Sequence, residues 1–166
     1  RNDAEIISKV LYPNDTKDEG KILRLKQQYF FVSASLQDLV RNHLSKYDTL
    51  ENFHEHHAIQ LNDTHPTVAI PEMMRILTDI YGMDWDKSWE IVLNTFAYTN
   101  HTIMQEALER WPVKFYKILL PKVYKIIERI NEDLVEELKE KGISYDAINQ
   151  YKIIEKDNIN MAYLAI

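Results

Sequence analysis

The sequence has 166 residues, with 20 Lys+Arg against 26 Asp+Glu for a formal net charge of −6 and an apolar fraction of 45%, the profile of one ordinary domain with a real core. The absence of Cys excludes disulfide scaffolds, thiol catalysis and Cys-based zinc sites, and 3 Gly without any GxGxxG or Walker pattern argue against a phosphate-cradling loop. The acidic balance argues against a nucleic-acid partner, no apolar run is long enough to span a membrane, and no signal-peptide pattern opens the chain, so a cytoplasmic protein is expected.

Residues 1–11 read as a helix or helix tail through Ile6, Ile7, Val10 and Leu11. It opens uncapped on Arg1. Residues 12–20 are a loop, with Pro13, Asn14, Asp15, Asp18 and Gly20 as turn formers. A long amphipathic helix follows from Lys21 to Lys46. Its apolar face is Ile22, Leu25, Tyr29, Val32, Leu36, Leu39, Val40 and His43; its polar face holds Arg24, Gln27, Gln28 and Asp38. Residues 47–56 have no period and are expected to be loop.

Ala58–Leu61 is a strand candidate ended by the polar run Asn62-Asp63-Thr64-His65-Pro66. A helix is expected from Val68 or Pro71 to Tyr81, buried through Ile70, Met73, Met74, Leu77 and Ile80 and stopped by Gly82. Asp84 caps the next, Trp85 to Asn94, with Trp85, Trp89, Val92 and Leu93 on one face. Residues 95–99, Thr-Phe-Ala-Tyr-Thr, are a second strand candidate. Each strand runs into a polar loop and then a helix, the layout of a parallel βαβ unit whose sites gather at strand C-termini.

Residues 103–110 read as a helical turn or two, and Trp111-Pro112 as the start of another helix that Pro121 kinks or restarts. The stripe Val123, Ile127, Ile130, Leu134 and Leu138 continues it to Lys141, where Gly142 stops it. Residues 143–160 hold a short helix or turns and a possible strand over Tyr151–Ile154. The last residues, 161–166, are mostly apolar with no terminator. Together with the uncapped start, they suggest a piece of a larger protein.

The run Asn62 to Pro66 is the densest polar cluster after a strand. Asp63 and His65 suit sugar hydrogen bonding, acid–base work or metal binding, and the same residues also suit a plain turn. Asn100-His101-Thr102 repeats the placement after the second strand. His54-Glu55-His56-His57 lacks H-E-x-x-H spacing and reads as a solvated loop rather than a metal site. Three N-x-[ST] matches carry no weight without a secretory signal. Trp85/Trp89 read as core, and Glu132-Asp133 with Glu136-Glu137 as a solvated helix face. Asp63, Glu106 and Glu109 are candidate carboxylates for glycosidic chemistry, with their separation open.

Leu11-Tyr12-Pro13-Asn14-Asp15, Gly20-Lys21-x-Leu23-Arg24-Leu25-Lys26-Gln27-Gln28-Tyr29-Phe30, Ala58 to Pro66 and Thr95 to Thr102 resemble the glycogen (α-glucan) phosphorylases. So do Glu106-Ala107-Leu108-Glu109-Arg110-Trp111-Pro112 and Asn160-Met161-Ala162-x-Leu164. The resemblance covers essentially the whole chain, in order and at family spacing. It implies an α/β, mostly helical fold with a few short parallel strands, part of a GT-B-like glycosyltransferase N-terminal domain. Residues 1–166 would be the C-terminal part of that domain. The implied parent moves a glucosyl unit from the end of an α-1,4-glucan to phosphate, with retention, releasing glucose 1-phosphate. It carries pyridoxal 5′-phosphate on a lysine outside these residues, and is a homodimer.

The resemblance also implies roles. Asp15 falls on the acidic residue of an active-site gate, although Thr16 and the segment to Gly20 diverge. Arg24 matches an arginine that swings toward phosphate. Asp63 and His65 line the β side of the glucose, His101 and Thr102 lie beside the glucosyl unit, and Glu106 and Glu109 belong to the same wall, Glu109 being the pocket liner. Arg24 and His101 are the expected catalytic residues; Asp15, Asp63, His65, Thr102 and Glu109 are the expected substrate binders. Gln105 stands where a Pro is usual, which would loosen the turn after His101. Alone, the chain is expected to be inactive and to self-associate through exposed edges. The alternative is a standalone, non-catalytic α-glucan-binding or regulatory module.

Overall fold

The computed structural model describes residues 2–166. Arg1, where the first helix is expected to open, and the side chains of Asn2, Asp3 and Gln105 lie outside the described set. Helix α1 (Asn2–Lys9) is followed by α2 (Asp18–Tyr47). The long helix starts earlier than expected because Asp18 and Glu19 occupy its first turn, where carboxylates meet the positive end of the helix dipole. It ends on Asp48 in the left-handed region. Of its expected polar face, Gln27 is instead buried at 4% exposure. Its amide donates to the carbonyls of Ile7 and Val10 and accepts from the Tyr12 amide, closing the chain's turn between α1 and α2.

A short helix, α3 (Phe53–His56), occupies part of the expected loop. Four residues are too few to show a period; the buried Phe53 anchors them. Strands β1 (Ile59–Asn62) and β2 (Phe96–Thr99) pair in parallel, Ile59 with Phe96 through Asn62 with Thr99. Between them run α4 (Ala69–Arg75), which continues through a π-helical turn at Ile76–Ile80, and α5 (Trp85–Thr95). The wider π turn changes the helical phase, so Ile80 leaves the expected buried face and is 50% exposed. Gly82 takes a φ of 66° after it. Asp84 caps α5 as expected, accepting from the amides of Asp86 and Lys87. The buried face of α5 is Ser88, Ile91, Val92 and Thr95, and Leu93 is exposed, because Ser88 and Thr95 are small enough to pack inward.

Residues 103–112 depart most from expectation. One 3-10 turn at Gln105–Ala107 is followed by a strand, β3 (Arg110–Pro112), rather than a helix start. Helix α6 (Val113–Leu119) begins after it. Pro121 restarts the chain as the first residue of α7 (Pro121–Glu140), whose stripe buries Val123, Ile127 and Ile130. Gly142 ends it at a φ of 73°. Then come α8 (Tyr145–Tyr151), β4 (Ile154–Glu155), β5 (Asn158–Asn160) and α9 (Met161–Ala165). Lys156 and Asp157 both have positive φ, the hairpin turn that matches strand twist. β3, β5 and β4 form an antiparallel sheet, an addition to the parallel pair that the sequence suggested. The chain is thus mostly helical with a few short strands, as expected.

The core lies where α2, α4 and α7 meet, around Leu25, Leu36, Val40, Met73, Met74, Leu77 and Ile127. One charged group crosses it. Glu72, fully buried, accepts from Tyr29 Oη, Ser33 Oγ, and Arg75 Nε and Nη2 at 2.7–3.0 Å.

Candidate functional site

Four side chains from distant parts of the sequence converge on Arg24. It projects from the first turns of α2. Its Nη1 donates to Asp15 Oδ2 at 2.6 Å, and its Nη2 donates to Glu109 Oε2 at 2.5 Å. Nη2 also lies 3.4 Å from His65 Nδ1, and Glu109 Oε2 lies 3.7 Å from the same nitrogen. The guanidinium sits over the Trp111 ring, 5.6 Å from its centroid. The Arg24 side chain is 20% exposed and that of Glu109 11%, so these charge-assisted contacts operate in a partly desolvated place.

Each partner is delivered by a local reason. Gly20 lets the 12–16 loop lie on the start of α2: a Cβ there would stand 1.8 Å from the Asn14 carbonyl oxygen. Asn14 Oδ1 accepts from the Thr16 amide and shapes the turn holding Asp15. Glu109 immediately precedes β3, and its carbonyl accepts from the Met161 amide. Trp111, two residues on along an extended segment, therefore comes to the same side as Glu109. Tyr12, at a φ of 56°, sets its ring edge-on to His65 at 5.7 Å.

The strand ends make the second half of the site. Asp63, at a φ of 65°, donates its amide to the Thr99 carbonyl and so extends the parallel ladder by one bond. Its Oδ1 accepts from the Thr64 amide. The Tyr98 phenol is pushed above its ordinary range by burial and by the Asp63 carboxylate. His101 Nε2 hydrogen-bonds Asn62 Oδ1, which joins the two loops. Thr102 is held by its amide to Asn100 Oδ1 and by its carbonyl, which accepts from Asn100 Nδ2.

The structure therefore brings Asp15, Arg24, His65 and Glu109 into one cluster. It sets Asp63, His101 and Thr102 around the adjoining strand ends. Glu106 lies in the exposed 3-10 turn, outside the cluster's contacts. Tyr12, Tyr98 and Trp111, which the sequence did not single out, and Asn62, which opens the polar run it did, also touch or face these residues. Each lies within a quoted motif, which is the signal that could have found them.

A hollow of about 300 Å³ beside the cluster is lined by Tyr12, Arg24, Gln28, Asn62 and His65, among others. Arg24 Nε, Gln28 Nε2, Tyr98 Oη, Glu109 Oε1 and Trp111 Nε1 are buried without a hydrogen-bond partner, and of these residues Arg24 and Gln28 line the hollow. The hollow's polar lining, Arg24 and Gln28 from α2 with Asn62 and His65 from the end of β1 and its loop, offers donors and acceptors that suit a polyhydroxylated ligand. Among the described residues there is no group of three metal-ligating side chains.

A family model described as carbohydrate phosphorylase matches residues 1–166. The chain belongs to the carbohydrate phosphorylase family. It is 47% identical over 167 residues to a glycogen phosphorylase of Bacillus subtilis (strain 168), covering 100% of this chain and 21% of that protein. It is 47% identical over 166 residues to one of Synechocystis sp., covering 98% and 20%. It is 50% identical over 180 residues to the liver form of Bos taurus, again covering 100% of this chain and 21% of the relative. The chain thus spans about a fifth of the length of the family members it matches. No described lysine contacts the cluster, so these residues do not fit as holders of a pyridoxal phosphate Schiff base.

Proposed function

We propose that these residues act within an α-1,4-glucan phosphorylase, a glycosyltransferase that passes a terminal glucosyl unit to orthophosphate and releases glucose 1-phosphate. They form the C-terminal part of its N-terminal domain and supply the sugar-side wall and gate loop of its site. The observation that carries this reading is the convergence of Asp15, Arg24, His65 and Glu109 beside the ends of β1 and β2. All four lie in phosphorylase-like motifs. The polar side chains that line the adjoining hollow, Arg24, Gln28, Asn62 and His65, give a sugar's hydroxyls partners on one wall.

In this reading Asp63, His65, His101, Thr102 and Glu109 bind the glucosyl unit. The Nδ1 of His65 faces the Arg24 donor, which leaves Nε2–H as the ring's donor toward sugar. Arg24 is parked between Asp15 and Glu109. Displacing Asp15 exposes a guanidinium suited to phosphate, by the same fork that now grips two carboxylates. Pyridoxal phosphate would be held by a part of the protein outside these residues and would supply proton-transfer chemistry there. The whole enzyme is a cytoplasmic homodimer, and the 166 residues alone are inactive and self-associating.

The test uses the complete native protein with pyridoxal phosphate, glycogen or maltodextrin, and orthophosphate. Release of glucose 1-phosphate is expected, with a loss of at least about 100-fold for His101→Ala, the scale of removing one positioned group acting on the transition state. Glucan binding without phosphorolysis in the complete protein would replace this reading with the non-catalytic glucan-binding module.

A further inference from the structure

The histidines at 54–57 do not join the candidate site. Three histidines instead build a separate relay with Asn52. His43, on the buried face of α2, is 1% exposed. Its Nδ1 lies 3.1 Å from His57 Nε2, and its Nε2 lies 3.0 Å from Asn52 Oδ1. Asn52 Nδ2 in turn lies 3.5 Å from His56 Nε2. The rings are packed as well as bonded. His56 stacks on Tyr47 at 4.0 Å, His57 stacks on Phe53 at 4.3 Å, and His43 touches both Tyr47 and Phe53.

The bonding fixes proton positions. Asn52 Oδ1 can only accept, so His43 Nε2 carries a hydrogen and His43 Nδ1 accepts from His57 Nε2–H. Asn52 Nδ2 can only donate, so His56 Nε2 holds a lone pair. The chain His57 to His43 to Asn52 to His56 is satisfied with all three rings neutral. A proton on His43 sets two N–H groups against each other at 3.1 Å unless His57 changes tautomer. A proton on His56 sets an N–H against the Asn52 amide.

We propose that His43, His56, His57 and Asn52 form a proton-operated latch that pins segment 52–57 to α2 when neutral and releases it on acidification. The other charged and titratable groups facing it are few. Lys46 on α2 adds positive potential at His57, His54 and Glu55 are the other titratable groups of α3, and among the described residues no carboxylate bonds any of the three rings. Glu51, just before the segment, forms an exposed ion pair with Lys87 of α5. Burial, then His43, His56 and Lys46, holds the His57 imidazolium below the ordinary histidine range. The sign follows. A histidine whose folded pKa lies below its unfolded value binds more protons when released, so docking is strongest above about pH 6.5 and weakens as pH falls below it. His57 stands two residues before β1, so the latch also sets how firmly the strand leading to Asp63 and His65 is held at its entry.

Amide hydrogen exchange on the complete protein, corrected for the intrinsic pH dependence of exchange, tests this at pH 7.5 and pH 5.5. Protection at residues 53–57 is expected to fall by about tenfold or more, while α7 residues 123–130 keep theirs. His57→Gln keeps an amide N–H for His43 Nδ1 and cannot titrate; with His56→Gln it is expected to abolish most of that pH dependence. Unchanged wild-type protection at 53–57, a loss shared equally by α7, or an undiminished pH response in the double variant overturns the latch. None of these readouts depends on phosphorolysis.

Discussion

Glu72 is a carboxylate with no exposed surface, and the cation paired with it is Arg75, one helical turn away. The pair binds Nε and Nη2 to both carboxylate oxygens, and the hydrogen bonds to Glu72 push the Arg75 pKa higher still. Tyr29 and Ser33 bring two more donors from α2, so one ionised group ties α2 to α4. The Tyr29 phenol is raised by burial and then by the same carboxylate. Removing the cation leaves the charge buried without its counter-charge, which costs about 3–5 kcal/mol. Arg75→Met is therefore expected to lower the urea midpoint sharply with an unchanged m-value, and a midpoint within error of wild type would refute this role. The sequence could not announce such a group. Glu72 sits between buried Pro71 and Met73 on a helix whose apolar spacing says nothing of a polar residue that is buried because it is paired. Gln27 reads as part of a polar face for the same reason, while Asp15, Arg24, His65 and Glu109 stand out in the sequence because their motifs carry them. What the motifs did not convey was that Arg24 lies in contact with the other three.

At the scale of elements, the loop before α2 decides whether Arg24 is gripped from one side or two. Tyr12 holds a left-handed φ, Gln27 clamps the chain at 7–12, and Gly20 lets the Asn14 carbonyl approach where no side chain could fit. The contact at Gly20 is with backbone, which cannot rotate away as a flexible side chain would. Gly20→Ala is thus expected to push Asn14 and Asp15 off the helix, break the Asp15–Arg24 ion pair and leave Arg24 with Glu109. The cost is about 1–3 kcal/mol, as for other overpacked sites. The check is an Asp15→Asn, Gly20→Ala cycle followed by chemical denaturation. If the two changes share the lost ion pair, their effects sum to less than additive; full additivity counts against the coupling. Long elements were readable because α2, α5 and α7 repeat their period often enough to declare it. Short ones were not. β3 has three residues and exists because β5 pairs with it from far along the chain, a partner that local pattern cannot reveal. The π turn at 76–80 likewise has no composition of its own, and it moved Ile80 to the surface.

Across the whole molecule, two features bear on how the 166-residue polypeptide behaves by itself. The parallel pair β1–β2 stands alone among the described residues, with each strand's outer edge unpaired. Parallel sheets usually have both faces covered, and two strands are marginal without further partners. Apolar side chains are also exposed, among them Val10, Leu11 and Tyr12 after α1, Phe30 and Phe31 on α2, and Ile118 on α6. Near them an apolar groove of about 710 Å³, lined by Ile7, Tyr29, Phe30, Leu119 and Leu120 among others, runs beside α2. Open strand edges and exposed apolar side chains both favour association. The net charge of −6 opposes it only weakly at physiological salt, where the Debye length is about 8 Å. The polypeptide prepared alone is therefore expected to sediment and scatter light as dimers or larger species at tens of micromolar. Phe30→Lys with Phe31→Glu should shift it toward monomer without altering the far-ultraviolet circular dichroism, because both rings lie on the outside of a helix whose buried face they do not share. A wild-type polypeptide that stays monomeric at high concentration would mean that its edges and apolar side chains are protected in solution by rearrangement of the chain itself. An assembly indifferent to both substitutions would place the contact on the strand edges instead, where a Pro at Gln60, which removes a ladder donor, becomes the discriminating change.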